Sequence, residues 1–224
     1  MEILKSLIDF ILHLDDHLFA MIIDYGIWIY AILFLIIFVE TGLVVMPLLP
    51  GDSLLFAAGT FCAGVTNTEG EVAELNLWIV MSLLIVAAIL GDGLNYFLGK
   101  NIGLKILSWK IRGRQIVKQK YIDQTHEFYE KHGPKTIIIA RFVPIVRTFA
   151  PFVAGIGEMS YGKFIRFNII GGVAWVVGLT LLGYFFGGLE FVQKNFETVI
   201  FGIIGLSVLP MIIEILRNKF KSKA

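Results

Sequence analysis

The sequence predicts an all-α integral membrane protein, built as an inverted repeat of a re-entrant helical hairpin plus a spanning helix. About four full spans and two hairpins fit the apolar segments, given that a helix needs about 20 apolar residues to cross a bilayer. Three observations carry this. Of 224 residues 57% are hydrophobic and 17% charged, where a soluble domain is about half apolar and about a quarter charged. The apolar residues are bunched: 77–98 holds one charge, Asp92, while 167–189 and 198–213 hold none. Four of the six prolines fall inside two of the apolar stretches.

The composition also excludes classes. With 19 basic and 18 acidic side chains, no net charge points to nucleic acid. The single cysteine, Cys62, rules out an intrachain disulfide and any multi-thiolate metal site. His13, His17, His126 and His132 fall in segments read as surface, without metal-ligand partners, so neither a metal nor another cofactor is expected.

The elements follow in order. Residues 1–21 place Leu4, Leu7, Ile8, Ile11, Leu14 and Leu18 at helical spacing among acids, an amphipathic helix on the membrane surface rather than a signal peptide. Apolar segments then run over 22–42, 43–64, 77–98, 136–157, 164–188 and 197–215. Four read as spans. The segment 43–64 carries Pro47, Pro50 and Gly51, and the segment 136–157 carries Pro144 and Pro151. Proline removes a backbone donor and clashes with the preceding turn, so these four mark breaks. Broken backbone at membrane depth survives only where protein or water covers it, and both segments read as re-entrant hairpins.

Loop charge supports that topology. Residues 99–135 hold nine Lys/Arg against three acids, and the tail 216–224 holds four basic residues and no acid. The stretch 65–76 carries Glu69, Glu71 and Glu74 with no basic residue. Basic loops stay cytoplasmic, so loop and tail share a side only if 43–64 and 136–157 dip in and return. The C-terminus is then cytoplasmic, and the N-terminus with it. The hairpins enter from opposite faces, and the spans after them end alike, in Tyr96-Phe97-Leu98-Gly99 and Tyr184-Phe185-Phe186-Gly187. Transporters place substrate and ion sites at such a junction. Within the basic loop, Tyr121–His132, ended by Gly133-Pro134, reads as a solvated helix.

Five ionisable residues sit within apolar segments: Glu40, Asp52, Asp92, Arg141 and Arg147. Each costs roughly 2.5–3.5 kcal/mol at the centre of a span, on the order of 10 kcal/mol together. Pairing or a water-filled cavity offsets that cost, and a purely structural anchor has no need of it. Arg141 and Arg147 present planar forks that match phosphate or carboxylate oxygens. Six residues apart and separated by a proline, they could converge on one anion. The competing reading is an internal salt bridge to Glu40 and Asp52. Glu40, after an uncharged run from Tyr25 to Val39, is a candidate for proton coupling. Asp52 is a second one, or an N-cap after Pro50-Gly51. Asp92 lies eight residues before Lys100, about 12 Å of helix. It reads either as an accessory acid of the cavity or as a charge reaching the cytoplasmic interface, with the interface preferred. Gly171, Gly172, Gly178 and Gly183 read as helix-packing positions, and Trp175 and Tyr184 as packing or interface residues.

The run Ala140-Arg141-Phe142-Val143-Pro144-Ile145-Val146-Arg147-Thr148, with Pro151, Ala154 and Gly155, resembles the signature of the DedA family, also called the VTT or SNARE-associated-Golgi domain family. Glu40-Thr41-Gly42, Pro47 and Pro50-Gly51-Asp52-Ser53 resemble its first hairpin. Asn168, Gly171, Trp175, Gly183-Tyr184 and Gly187 fit its following span. The resemblance covers nearly the whole chain, as one membrane domain, 1–224. It implies a lipid transporter of the bacterial inner membrane, not an enzyme. Members are linked to recycling undecaprenyl phosphate or translocating phospholipids. The family's functional acids and arginines match Glu40, Asp52, Arg141 and Arg147.

The expected function is therefore movement of a phosphate-bearing lipid, with Arg141 and Arg147 binding the headgroup and Glu40 and Asp52 coupling it to protons or membrane potential. The partners are that lipid, protons and the membrane, with a homo-oligomer compatible. The alternative is a proton-coupled exporter of a small solute or cation. A lipid phosphatase would want a nucleophile partnered with a histidine, and all four histidines lie outside the apolar segments. In a protein with Cys62 replaced, cysteines introduced before Pro144 and after Pro151 are expected to react with an impermeant thiol reagent from the cytoplasmic side only. Labelling from opposite sides would make 136–157 a crossing segment.

Overall fold

The computed structural model describes residues 14–43, 51–66, 70–108, 110–111, 114–115 and 119–189, with isolated positions at 192, 198–199, 202 and 205. Residues 1–13 of the surface helix, the prolines Pro47 and Pro50, most of 197–215 and the tail 216–224 lie outside the described residues.

Helices dominate: α1 (Leu14–Tyr25), α2 (Trp28–Gly42), α3 (Gly51–Cys62), α4 (Leu77–Ser108), α5 (Gln119–His132), α6 (Thr136–Ala140), α7 (Pro144–Val153) and α8 (Tyr161–Phe186). Two minimal antiparallel strand pairs interrupt them, β1 (Val65–Thr66) with β2 (Val72–Ala73) and β3 (Lys110–Ile111) with β4 (Arg114–Gln115). Among the described residues, α4 and α8 contain stretches long and apolar enough to cross a membrane. The expected span 22–42 is broken instead. Gly26 adopts a left-handed φ of 51°, which glycine takes at no steric cost, and α2 begins beyond it with 15 residues. The expected span 77–98 runs on through Lys100 and Lys105, so the first part of the basic loop is helix. Its start is capped by Asn76, whose Oδ1 accepts the amide hydrogens of Trp78 (3.1 Å) and Ile79 (3.2 Å).

The second proline-rich segment breaks at one of its two expected places. Arg141 caps α6, Val143 is extended (φ −126°, ψ 101°), and Pro144 opens α7. A residue before proline is pushed out of helical space, and proline suits a first helical position. Pro151, expected as a break, lies inside α7. Its ring removes the amide that would donate to the Arg147 carbonyl, and the distortion is taken up just beyond, in the π turn Ala154–Glu158. α5 is not the wholly solvated helix expected. Ile122, Thr125 and Tyr129 are buried along one face, and Tyr129 Oη donates to the Ala150 carbonyl of α7 at 2.8 Å.

The chain divides into two compact units. Met1–Ile36, Pro50–Ile85 and Val176–Gly205 form one; Ile37–Leu49, Val86–Trp175 and Leu206–Ala224 form the other. In the first unit α3 and the end of α8 meet antiparallel. A Cβ added at Gly59 would overlap the Thr180 carbonyl, and one at Gly183 the Phe56 carbonyl. In the second unit α7 and its π turn meet α4 in the same way. A Cβ at Gly155 would overlap the Tyr96 carbonyl, and one at Gly99 the Phe152 carbonyl. The pattern continues one turn on, with Gly187 against the Thr60 side chain and Gly103 against Ile156. At Gly59, Gly99, Gly155 and Gly183 glycine is needed because backbone touches backbone. Gly99 therefore corresponds to Gly183, and the like-ending tetrapeptides are out of register by four residues. The second unit's core gathers Tyr96, Phe149, Phe152 and Phe164, with Tyr96 stacked on Phe164 at 4.6 Å.

Gly99→Ala and Gly183→Ala are each expected to destabilise the purified protein by about 1–3 kcal/mol, as overpacking does. Gly93 and Gly178, which face no atom within 4 Å, should tolerate alanine with a neutral or slightly positive shift in thermal midpoint. Equal loss at all four positions would contradict the packing.

Candidate functional site

The second unit contains Glu40, Asp92, Arg141 and Arg147, four of the five ionisable residues of the apolar segments. Arg141 leaves the C-terminal end of α6, and Arg147 lies in α7 four residues past Val143, whose carbonyl accepts its amide at 2.8 Å. The break at Pro144 thus sits between the two guanidiniums. Arg141 is 3% exposed, and its Nη2 donates to Asp92 Oδ2 at 2.5 Å and to Asn168 Oδ1 at 2.6 Å. Asn168 is anchored in turn, its Nδ2 donating to the Ile89 carbonyl at 3.1 Å. The Nε of Arg141 is buried without a hydrogen-bond partner among the described residues. Arg147 Nη2 pairs with Glu40 Oε1 at 2.6 Å. Its side chain is 14% exposed against 2% for Arg141, so it is the more accessible fork.

An amide, three glycines and an indole set this arrangement. Asn95, fully buried on α4, donates from Nδ2 to the carbonyls of Thr41 (3.2 Å) and Thr148 (2.9 Å), the residues that follow Glu40 and Arg147. Gly91 lets α2 approach α4, since an added Cβ would overlap the Thr41 hydroxyl. Gly171 and Gly172 leave room for the Arg141 side chain rather than for a neighbouring helix alone; an added Cβ at Gly171 would lie 3.2 Å from Arg141 Cδ and Nε. Trp175 presents its ring to both arginines.

Asp92, for which the sequence left a cavity and an interface reading open, is 3% exposed and pairs with Arg141. The salt-bridge reading had paired the arginines with Glu40 and Asp52. Glu40 does pair with Arg147. Asp52 lies in the first turn of α3, in the first unit. Asn95, Asn168 and Trp175 were the site residues that the charges alone did not reveal. A signal was present. Asn168, Gly171, Gly172 and Trp175 recur at i, i+3, i+4 and i+7, as one helix face does, and an amide in an apolar span is costly enough to need a reason.

A family model described as the VTT domain matches residues 49–185. The chain belongs to the DedA/VTT family of membrane proteins. It is 53% identical over 219 residues to Protein DedA of Escherichia coli strain K12, covering 98% of this chain and 96% of that protein. It is 44% identical over 178 residues to the uncharacterized membrane protein ML0287 of Mycobacterium leprae, covering 80% and 75%. It is 34% identical over 161 residues to the inner membrane protein YqjA of Escherichia coli strain K12, covering 71% and 68%. No solved structure matches the chain. Of these relatives the last two are named as membrane proteins, and none of the three is named as an enzyme. The matched VTT stretch contains Asp52, Asp92, Arg141 and Arg147, whereas Glu40 lies before it. Among the described residues no group of three or more His, Cys, Asp or Glu could hold a metal ion.

Removing one partner of a buried ion pair strands the other charge, at about 3–5 kcal/mol. Asp92→Ala is therefore expected to lower the thermal midpoint more than Glu40→Ala, because the Arg147 side chain is partly exposed and that of Arg141 is buried. Equal midpoints for the two variants in one detergent would contradict this difference.

Proposed function

We propose that the protein is a membrane lipid transporter that moves a phosphate-bearing lipid, such as undecaprenyl phosphate or a phospholipid, coupled to protons or membrane potential. The observation that carries the reading is the Arg147–Glu40 pair: an accessible guanidinium fork held by a carboxylate beside a second, locked guanidinium. Arg147 binds the headgroup phosphate in place of Glu40. Arg141, fixed by Asp92 and Asn168, adds positive charge next to it and has a donor left at Nε.

Proton coupling follows from charge balance. In the two ion pairs described, Arg141 with Asp92 and Arg147 with Glu40, charge is balanced, so an incoming phosphate brings surplus negative charge into a buried site. A displaced carboxylate left charged there costs several kcal/mol, and taking up a proton removes that cost. Glu40 is the acid placed to do so, and Asp52 is the second coupling acid in this reading. The lipid's tail stays in the bilayer throughout.

The helix lengths support re-entry. At about 1.5 Å per residue, α6 and α7 are about 8 and 15 Å long and α3 about 18 Å. A hydrocarbon core of about 30 Å exceeds each. With both segments returning to their own side, the basic loop and tail lie in the cytoplasm and the protein is multi-pass in the inner membrane.

Arg147→Lys keeps the charge and loses the fork. With a charge-assisted bond worth about 1.5–3 kcal/mol, transport of a lipid phosphate in reconstituted vesicles should fall about tenfold or more with normal membrane insertion. Undiminished transport would overturn recognition by the fork. The same carboxylates would serve a proton-coupled exporter of a small solute or cation, and solute flux insensitive to Arg147→Lys, without lipid movement, would favour that reading.

A further inference from the structure

Trp175 is 1% exposed, on the α8 face that also carries Asn168, Gly171 and Gly172. The Cζ of Arg141 lies 5.7 Å from its ring centroid and that of Arg147 lies 5.2 Å from it. Two guanidiniums that repel each other therefore share one indole. Tryptophan is the best aromatic for this contact, and removal from water strengthens it.

The two kinds of contact around Arg147 differ in what substrate exchange does to them. The carboxylate of Glu40 occupies Nη2, a donor that a phosphate oxygen would need. The ring face competes for no donor, because it attracts the cation through the quadrupole of its π system. It can hold the guanidinium plane whichever anion sits at the edge. Arg141 has its own carboxylate and amide partners, so the ring ties the exchanging arginine to a fixed one.

We propose that Trp175 is a positioning residue of the anion site: its indole keeps both guanidiniums in place while Arg147 trades Glu40 for a phosphate oxygen. This rests on the phosphate-lipid reading above. A residue that merely filled space would need the volume of an indole and not its π density, which gives the two roles different signatures.

The test is site-specific incorporation, at position 175 of the full chain, of tryptophan carrying one to four ring fluorines. Fluorine withdraws π density in steps and barely changes shape. Binding of dihexanoyl phosphatidic acid to the protein in nanodiscs is measured by calorimetry, with unfluorinated tryptophan incorporated by the same route as reference. Affinity is expected to fall stepwise, to about tenfold weaker at four fluorines. Trp175→Phe should fall between wild type and Trp175→Leu. An affinity that stays flat across the fluorinated series, while the reference binds, overturns the positioning role and leaves the phosphate reading standing. No binding by the reference protein overturns both.

Discussion

A guanidinium that never loses its charge, buried at Arg141 among apolar helices, is the constraint from which the second unit is built. Charge in that environment is tolerated only with hydrogen-bonded partners. α4 supplies Asp92, α8 supplies Asn168, and α8 omits two side chains at Gly171 and Gly172 so that the arginine fits. The amide of Asn168 is spent on the Ile89 carbonyl of α4, so the residue that satisfies Arg141 also binds α8 to α4. Arg147 stands one helix break away and is more exposed. A well-packed apolar residue in place of Arg141 would serve stability as well or better. The charge at this place therefore asks for a role beyond stability, as the proposed anion site gives it.

The long elements were legible in the sequence, and the reason is physical. α4 and α8 come from runs so poor in charge that only a bilayer or a large core accommodates them. Pro144 announced its break, since it lacks a donor and pushes Val143 out of helical space. Pro151 looks the same in one dimension but lies where the helix relaxes into a π turn within one turn of chain, so α7 survives it. Gly26 gave no warning because it sits in an uncharged run where continuity is the default, and only its left-handed backbone stops the helix.

Within the site, cost identified the charges but not their partners. Glu40, Asp92, Arg141 and Arg147 are expensive wherever they pair, and spacing along the chain does not choose between Glu40, Asp52 and Asp92 as acceptors. Helical periodicity goes further. Asp92, Asn95, Tyr96, Gly99 and Gly103 fall on one face of α4, which bears the ion pair, the Asn95 crossbar and the glycine contacts with α7 and its π turn. A polar residue and a glycine on one face of an apolar helix are better evidence of a site than either alone.

The same reciprocal contact occurs in both units, yet the two copies are chemically unlike. Phe56 and Gly59 correspond to Phe152 and Gly155, and Thr180 and Gly183 to Tyr96 and Gly99. Carrying that register along each helix sets Val176 where the other copy has Asp92, and Gly51 where it has Arg147. The two units share the backbone contact and differ in their charges, as expected if the glycines answer to packing and the arginines to a ligand. The first copy carries Asp52 where the second has Thr148. A repeat serving only to fill the membrane would have no physical reason to put both arginines in one copy, since each adds an insertion cost that an apolar residue avoids. The asymmetry is intelligible if, as proposed above, one copy binds an anion through its arginines and the other contributes the acid Asp52.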